Sequence, residues 1–189
     1  VIKKEIKPFI LDTYEVERIK FARTLVATTD TAFKYIVNQE HGNLLLRMWV
    51  FPFILSLLIR ISFVRRKLFK AISQIQINYR HSPLAEGEAG EIKGGDRLPW
   101  VKFIDSDNFR PLQSLDWQIH IYGKVNSEFS TEIKNLHFPL QIFEWSKNIK
   151  KTGLKEDAVY LIRPDGYIAF VSENQDAQSL KTFINKFKL

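Results

Sequence analysis

The chain has 189 residues, 45% hydrophobic and 13% aromatic with 15 Phe, a make-up that suits a packed globular protein and excludes an intrinsically disordered one. It has no cysteine, which rules out disulfides, thiolate metal sites and dithiol redox chemistry, and fits a reducing, cytoplasmic compartment. The net charge of +7 is uneven: residues 1–90 hold 14 basic and 8 acidic side chains (net +6), whereas residues 91–189 hold 14 and 13 (net +1).

The chain starts at Val1 and its one methionine is Met48, inside an apolar run, so it reads as a piece of something larger or a processed product. No small-residue cleavage site follows the opening VIKKEIKPFIL, so no secretory signal is expected there. Residues 11–38 predict a long helix. Asp12 is a candidate N-cap with Glu15 three positions on, and Tyr14, Phe21, Leu25, Phe33 and Ile36 fall near one stripe. His41, Gly42 and Asn43 supply a stop.

Residues 44–72, LLLRMWVFPFILSLLIRISFVRRKLFKAI, are strongly apolar. The uncharged core from Met48 to Ile59 has 12 residues, between Arg47 and Arg60 and interrupted by Pro52. A membrane span needs about 20. The segment therefore reads as a helix that is buried, interfacial at a membrane, or packed against an absent part of a larger protein. Arg60, Arg65, Arg66, Lys67 and Lys70 follow with no acid among residues 60–70. Such a cluster suits a solvated helix end, or a surface for anionic lipid, nucleic acid or phosphate.

Ile75, Ile77 and Tyr79 alternate as a short strand or extended segment, and a Gly/Glu/Pro-rich linker follows, with a domain boundary near Gly94-Gly95. The expected domains are 1–93, a helical portion with a junction loop, and 94–189. From Trp100 on the pattern is α/β. Strands are predicted at Trp117–Tyr122 and Leu136–Phe143, with Pro139 marking an edge or strand start, and a short helix at 126–135 between them. Val159–Ile162 and Tyr167–Val171 flank Arg163-Pro164-Asp165-Gly166, whose Pro and Gly spacing is that of a type I turn, so a hairpin is predicted. The last helix, about Gln175 to Lys188, buries Ala177, Leu180, Phe183, Ile184 and Phe187. Strand, helix, strand, hairpin and terminal helix are the element order of a thioredoxin-like domain. The fold class is thus α+β: an N-terminal helical segment followed by a thioredoxin-like domain without redox cysteines.

No catalytic constellation emerges. The eight glycines spell neither G-x-G-x-x-G nor a P-loop, no G-x-S-x-G is present, and His41, His81, His120 and His137 have no metal-ligand spacing. His120 and His137 read as packed or edge residues, and Asp165 as a turn residue. Tyr79 and Arg80 are the candidate junction contacts: the guanidinium can grip a phosphate or carboxylate by two hydrogen bonds, or pair with a carboxylate of the junction itself.

Three segments carry a resemblance. LDTYEVERIKFARTLVATTDTAF, with Tyr14, Glu17 and Arg18, resembles the helix after the flavin-binding core of the FAD-dependent aromatic-ring hydroxylases (the phenol and pentachlorophenol monooxygenase-like family). INYRHSPLAEGEAGEIKGGDRLP, with Tyr79, Arg80, Ser82, Pro83 and Leu84 and then Gly95, Asp96, Arg97 and Pro99, is similar to that family's junction with a C-terminal thioredoxin-like domain. YLIRPDGYIAF, residues 160–170, is similar to its late hairpin. The segment 44–72 departs from the pattern in being more hydrophobic and more basic.

The resemblance implies a parent monooxygenase in which NAD(P)H reduces FAD and a flavin hydroperoxide hydroxylates an aromatic ring. The family's cofactor fingerprints do not occur between Val1 and Leu189, so the expectation is no catalytic, cofactor or metal residue in this chain. FAD and NAD(P)H belong to the parent. The expected partners are the missing flavin domain or a second copy in a dimer, with peripheral membrane contact as an option and no nucleic acid. The alternative reading is a stand-alone, non-catalytic thioredoxin-like interaction module that docks on a partner or membrane surface through residues 44–72.

Overall fold

The computed structural model describes residues 8–37, 49–73 and 77–189. Met48, the His41-Gly42-Asn43 stop and Ile75 lie outside them. The chain divides into two bodies, one made of the first 17 residues with Asn78–Leu189, the other of Arg18–Ile77. Gly94 and Gly95 lie within the first.

α1 (Asp12–Val37) follows a 3-10 turn at Pro8–Leu11; its residues up to Glu17 belong to the first body and those from Arg18 on to the second. Asp12 is its first helical residue rather than its cap, and it shares the first turn with Glu15, where the helix dipole favours acids. Of the expected stripe, Tyr14, Leu25 and Phe33 are exposed. The single helix expected over 44–72 is two: α2 (Phe51–Arg60) and α3 (Ser62–Ile72). Pro52 does not interrupt a helix. It sits in the first turn of α2, where its missing N–H costs nothing. The break falls at Ile61, whose backbone is extended (ψ 117°).

The first body is built on a four-stranded sheet, order β4-β3-β5-β6, from β3 (Gln118–Tyr122), β4 (Leu140–Phe143), β5 (Val159–Ile162) and β6 (Ile168–Ser172). β3 and β4 are parallel, Ile119 opposite Leu140, and α4 (Ser127–Ile133) makes the crossover. β5 is antiparallel to both β3 and β6. Pro139 stands just before β4, accepting from Ile119 N–H at 2.9 Å, on an edge where its missing donor is not needed.

The β5–β6 hairpin turns as its residues dictate. Gly166 N–H donates to Arg163 C=O at 2.9 Å, and Gly166 has φ +79°, which an L side chain resists. A register shift at Leu161/Ile162 absorbs the extra residue. α6 (Ala177–Phe187) is capped by Asp176, which accepts from Gln178 and Ser179 N–H. It buries Ala177, Leu180, Phe183, Ile184 and Phe187, the predicted face, against Ile119, Ile121, Val159, Leu161 and Phe129 of α4.

The other face of the sheet is covered largely by irregular chain. Leu98, Val101 and Leu112, with Ile149 of α5 (Lys147–Lys150), pack on Tyr122, Tyr160, Ile162 and Ile168. Of the two readings of Ile77 and Tyr79, short strand or extended segment, the strand does not form: Tyr79 N–H donates to Gly95 C=O at 2.7 Å, outside any ladder. The stretch read as a linker forms a tight hairpin of β1 (Glu88–Ala89) and β2 (Ile92–Lys93). It shields the outer edge of β6, with Glu86 bonded to Ala169 and Val171 and Gly95 and Asp96 to Ile168.

Candidate functional site

Glu17 leaves the first turns of α1 with its carboxylate buried. Arg163, at the start of the Arg-Pro-Asp-Gly turn, meets it with two parallel hydrogen bonds, Nη1 to Oε1 at 2.6 Å and Nη2 to Oε2 at 3.1 Å. The side chains are 3% and 13% exposed, so this ion pair is out of bulk water. Ser82 Oγ donates to the same Oε1 at 2.7 Å while accepting from Leu84 N–H. Arg163 Nη2 also donates to Asp165 Oδ2 at 2.8 Å. The guanidinium carbon lies 5.9 Å from the centre of the Tyr79 ring, which packs on Tyr167 at 4.4 Å between centroids. Burial works to lower the Arg163 pKa, but the Glu17 hydrogen bonds and the charges of Asp165 and Glu17 outweigh it, and the net shift is upward. The arginine is a permanent cation.

The second candidate residue, Arg80, points to Asp96, with Nε at 2.6 Å from Oδ1 and Nη2 at 2.9 Å from Oδ2. Asp96 also accepts from Lys93 N–H at 3.0 Å. The hydrogen bond from Arg80 to Asp96 raises the arginine pKa against a small burial cost. Gly95, between, approaches the Tyr79–Arg80 peptide so closely (φ +86°) that a Cβ would stand 2.3 Å from Tyr79 C. Tyr79 and Arg80 are thus held next to each other by Tyr167 and Asp96, and Arg80's fork is filled by a carboxylate of the same body.

A second buried polar group lies in the sheet. Gln118 Nε2 donates to Pro111 C=O at 2.6 Å, which fixes its amide and turns Oε1 toward His120 Nε2 at 3.2 Å. An oxygen there can only accept, so Nε2 carries the proton and Nδ1 faces Tyr122 OH at 3.4 Å. Asn108 donates to Tyr122 OH at 2.8 Å and accepts from Val101 N–H at 2.8 Å. Burial pushes His120 down to about 3, so the ring is neutral. Burial raises Tyr122 above its ordinary range and Tyr160 to about 12. His137 and His81 are exposed, and His41 lies outside the described residues.

Neither group offers a nucleophile with a base or an open coordination shell, and no cluster of metal-ligating side chains occurs among the described residues. Three of the described helix starts are not built to hold a phosphate. The N-termini of α4 and α6 are occupied by Asn126 and by the carboxylate of Asp176, which would repel a phosphate, and α1 is entered through Pro-Phe-Ile-Leu without glycine. Sequence reasoning singled out Tyr79 and Arg80 but did not pair Glu17 with Arg163, although both stood inside quoted motifs. Asn108 carried no signal beyond its residue type.

No family model and no curated protein matches the sequence. Solved structures do. The anhydrotetracycline hydroxylase OxyS from Streptomyces rimosus superposes with TM-score 0.63 at 20% identity, over 98% of this chain and 37% of its own. The rebeccamycin biosynthetic enzyme RebC, with reduced flavin, gives 0.65 at 18%, over 97% and 37%. CabE, an aromatic hydroxylase from angucycline biosynthesis, gives 0.60 at 22%, over 98% and 37%. The chain spans little more than a third of the length of each, and across nearly all of its own length it has the fold of that part of these enzymes.

Proposed function

We propose that this chain is the C-terminal portion of an FAD-dependent aromatic hydroxylase, and that by itself it is structural rather than catalytic. In this reading the Asn78–Leu189 body is a thioredoxin-like domain that has no redox cysteines and serves stability and dimer contacts. FAD, NAD(P)H and the aromatic substrate belong to the remainder of the parent. The observation that carries it is the convergence of all three motif segments on one buried network. Glu17 comes from the helix motif, Ser82 and Tyr79 from the junction, Arg163 and Tyr167 from the hairpin. Motifs that share a network are constrained together, which is what a common structural role predicts. The strand order and the β-α-β, hairpin, helix succession support the thioredoxin-like assignment.

Oxygen uptake tests the catalytic half of the reading. The chain supplied with FAD, NAD(P)H and a phenol is expected to consume no oxygen above the free-flavin background. Substrate-dependent consumption would contradict it.

The exposed apolar side chains of α2 favour a second reading, a stand-alone interaction module. Light scattering of the chain beside its Phe53→Ser/Leu57→Ser variant separates the two: association through α2 gives a concentration-dependent mass that the variant loses, and a mass unchanged in the variant, or a strict monomer, argues against the module.

A further inference from the structure

We infer that α2 and α3 form a docking surface for an anionic lipid bilayer, lying in the plane of its headgroups. This goes beyond the hydroxylase reading and neither needs nor supplies flavin. Three observations carry it. The first is charge: α2 and α3 carry Arg60, Arg65, Arg66, Lys67 and Lys70, and no acidic residue lies between Glu40 and Glu86.

The second is apolar exposure. Phe53 (71% exposed) and Leu57 (55%) follow at i, i+4 on α2, with Trp49 (74%) one turn ahead and Arg60 closing the same stripe at i+7. On α3, Phe69 (62%) stands one turn beyond both Arg65 and Arg66, which are also exposed. Aromatic and aliphatic side chains beside arginines are the composition of an interfacial helix, whose apolar groups enter the acyl boundary while the cations stay at headgroup level.

The third is length. With the chain broken at Ile61 into helices of 10 and 11 residues, no helix among the described residues is long and apolar enough to cross a membrane. Each of the two helices has the length of one that lies on a bilayer.

Charge complementarity selects this occupant. Nucleic acid would match the cations but leave Trp49, Phe53 and Leu57 in water. A second copy would bring the same five cations of α2 and α3 to the interface, with no acid in either helix to answer them.

The test is co-sedimentation of the whole chain with phosphatidylcholine vesicles, with and without phosphatidylglycerol. Binding is expected only with the anionic lipid, and weakening with added salt. The double variant Arg65→Gln/Arg66→Gln should lose about 30-fold in affinity. Phe53→Ser/Leu57→Ser should also lose binding. Lys147→Gln/Lys150→Gln removes two exposed cations from α5 in the other body and should bind as the parent does. Helical circular dichroism at the value of the unsubstituted chain in all three shows that α2 and α3 are intact in each variant. The inference fails if anionic lipid gives no gain, if the α5 variant loses as much as the α3 variant, if duplex DNA at low salt competes the vesicles away, or if self-association abolishes binding as concentration rises. Flavin content is a separate readout, so loss of this inference leaves the hydroxylase reading standing, and the converse.

Discussion

Arg163 and Glu17, 146 residues apart in the chain, lock together through two hydrogen bonds at 2.6 and 3.1 Å. The pair ties the start of α1 to the tip of the β5–β6 hairpin with both charges out of water. Cutting such a pair on one side leaves a buried charge without a partner. Glu17→Gln or Arg163→Leu is therefore expected to destabilise the first body by roughly 3–5 kcal/mol. The double variant Glu17→Gln/Arg163→Leu should recover much of that loss, because neither charge remains to be desolvated. Urea unfolding of the four-member cycle measures it, and additive losses would mean the two groups do not interact.

The Arg80–Asp96 pair makes the opposite comparison. Arg80's side chain is 45% exposed, so water screens the interaction. Asp96→Asn should cost less than Glu17→Gln in the same assay. Its remaining effect should come mostly from the weakened acceptor for Lys93 N–H. A larger loss than at Glu17 would overturn the ranking of the two pairs by burial.

Gly95 is expected to tolerate no side chain. Its φ of +86° and the 2.3 Å approach of a Cβ to Tyr79 C act together. Gly95→Ala should destabilise by about 2 kcal/mol or more, with Tyr79 as the residue displaced. Thermal melting reads the loss, and near-ultraviolet circular dichroism reads the tyrosine.

His120 sets a pH dependence. Its pKa is about 3 in the folded chain and near the ordinary imidazole value when unfolded. Between these limits the unfolded state binds a proton that the folded state does not, so stability rises with pH. Stability is whole above about pH 6.5 and is lost as pH falls toward 3, by on the order of 4 kcal/mol at the limit. A His120→Gln variant should show a shallower acid limb between pH 6 and 4, in the pH window set by those two values. Parallel limbs would show that His120 is accessible and titrates normally.

Local patterns were legible in the sequence and long-range ones were not. The α6 face, the β5 bounds and the Arg163–Gly166 turn depend on residues within a turn or two of each other, and the structure has them as read. The break at Ile61 has no Pro or Gly to announce it, and Pro52, which seemed to interrupt the helix, suits its first turn. Whether Ile77 to Tyr79 would be a strand or only extended could not be read locally, because the N–H of Tyr79 goes to Gly95, 16 positions on. Strands of two residues, as in β1 and β2, are too short for alternation to show. The candidate site was visible as residue types: Tyr79 and Arg80 were singled out, but their partners Tyr167 and Asp96 and the Glu17–Arg163 pair are set by the tertiary fold.

The proposal that these 189 residues are a non-catalytic portion of a flavin hydroxylase stands or falls on where the flavin binds. Visible absorbance of two purified proteins tests it most directly: this chain, and the same chain extended by the coding sequence that lies in frame before Val1. The account predicts a colourless chain even after incubation with FAD. The extended protein should be yellow, with a glycine-rich dinucleotide fingerprint in the added part. Flavin bound by this chain alone, or an extension that holds none, would contradict it.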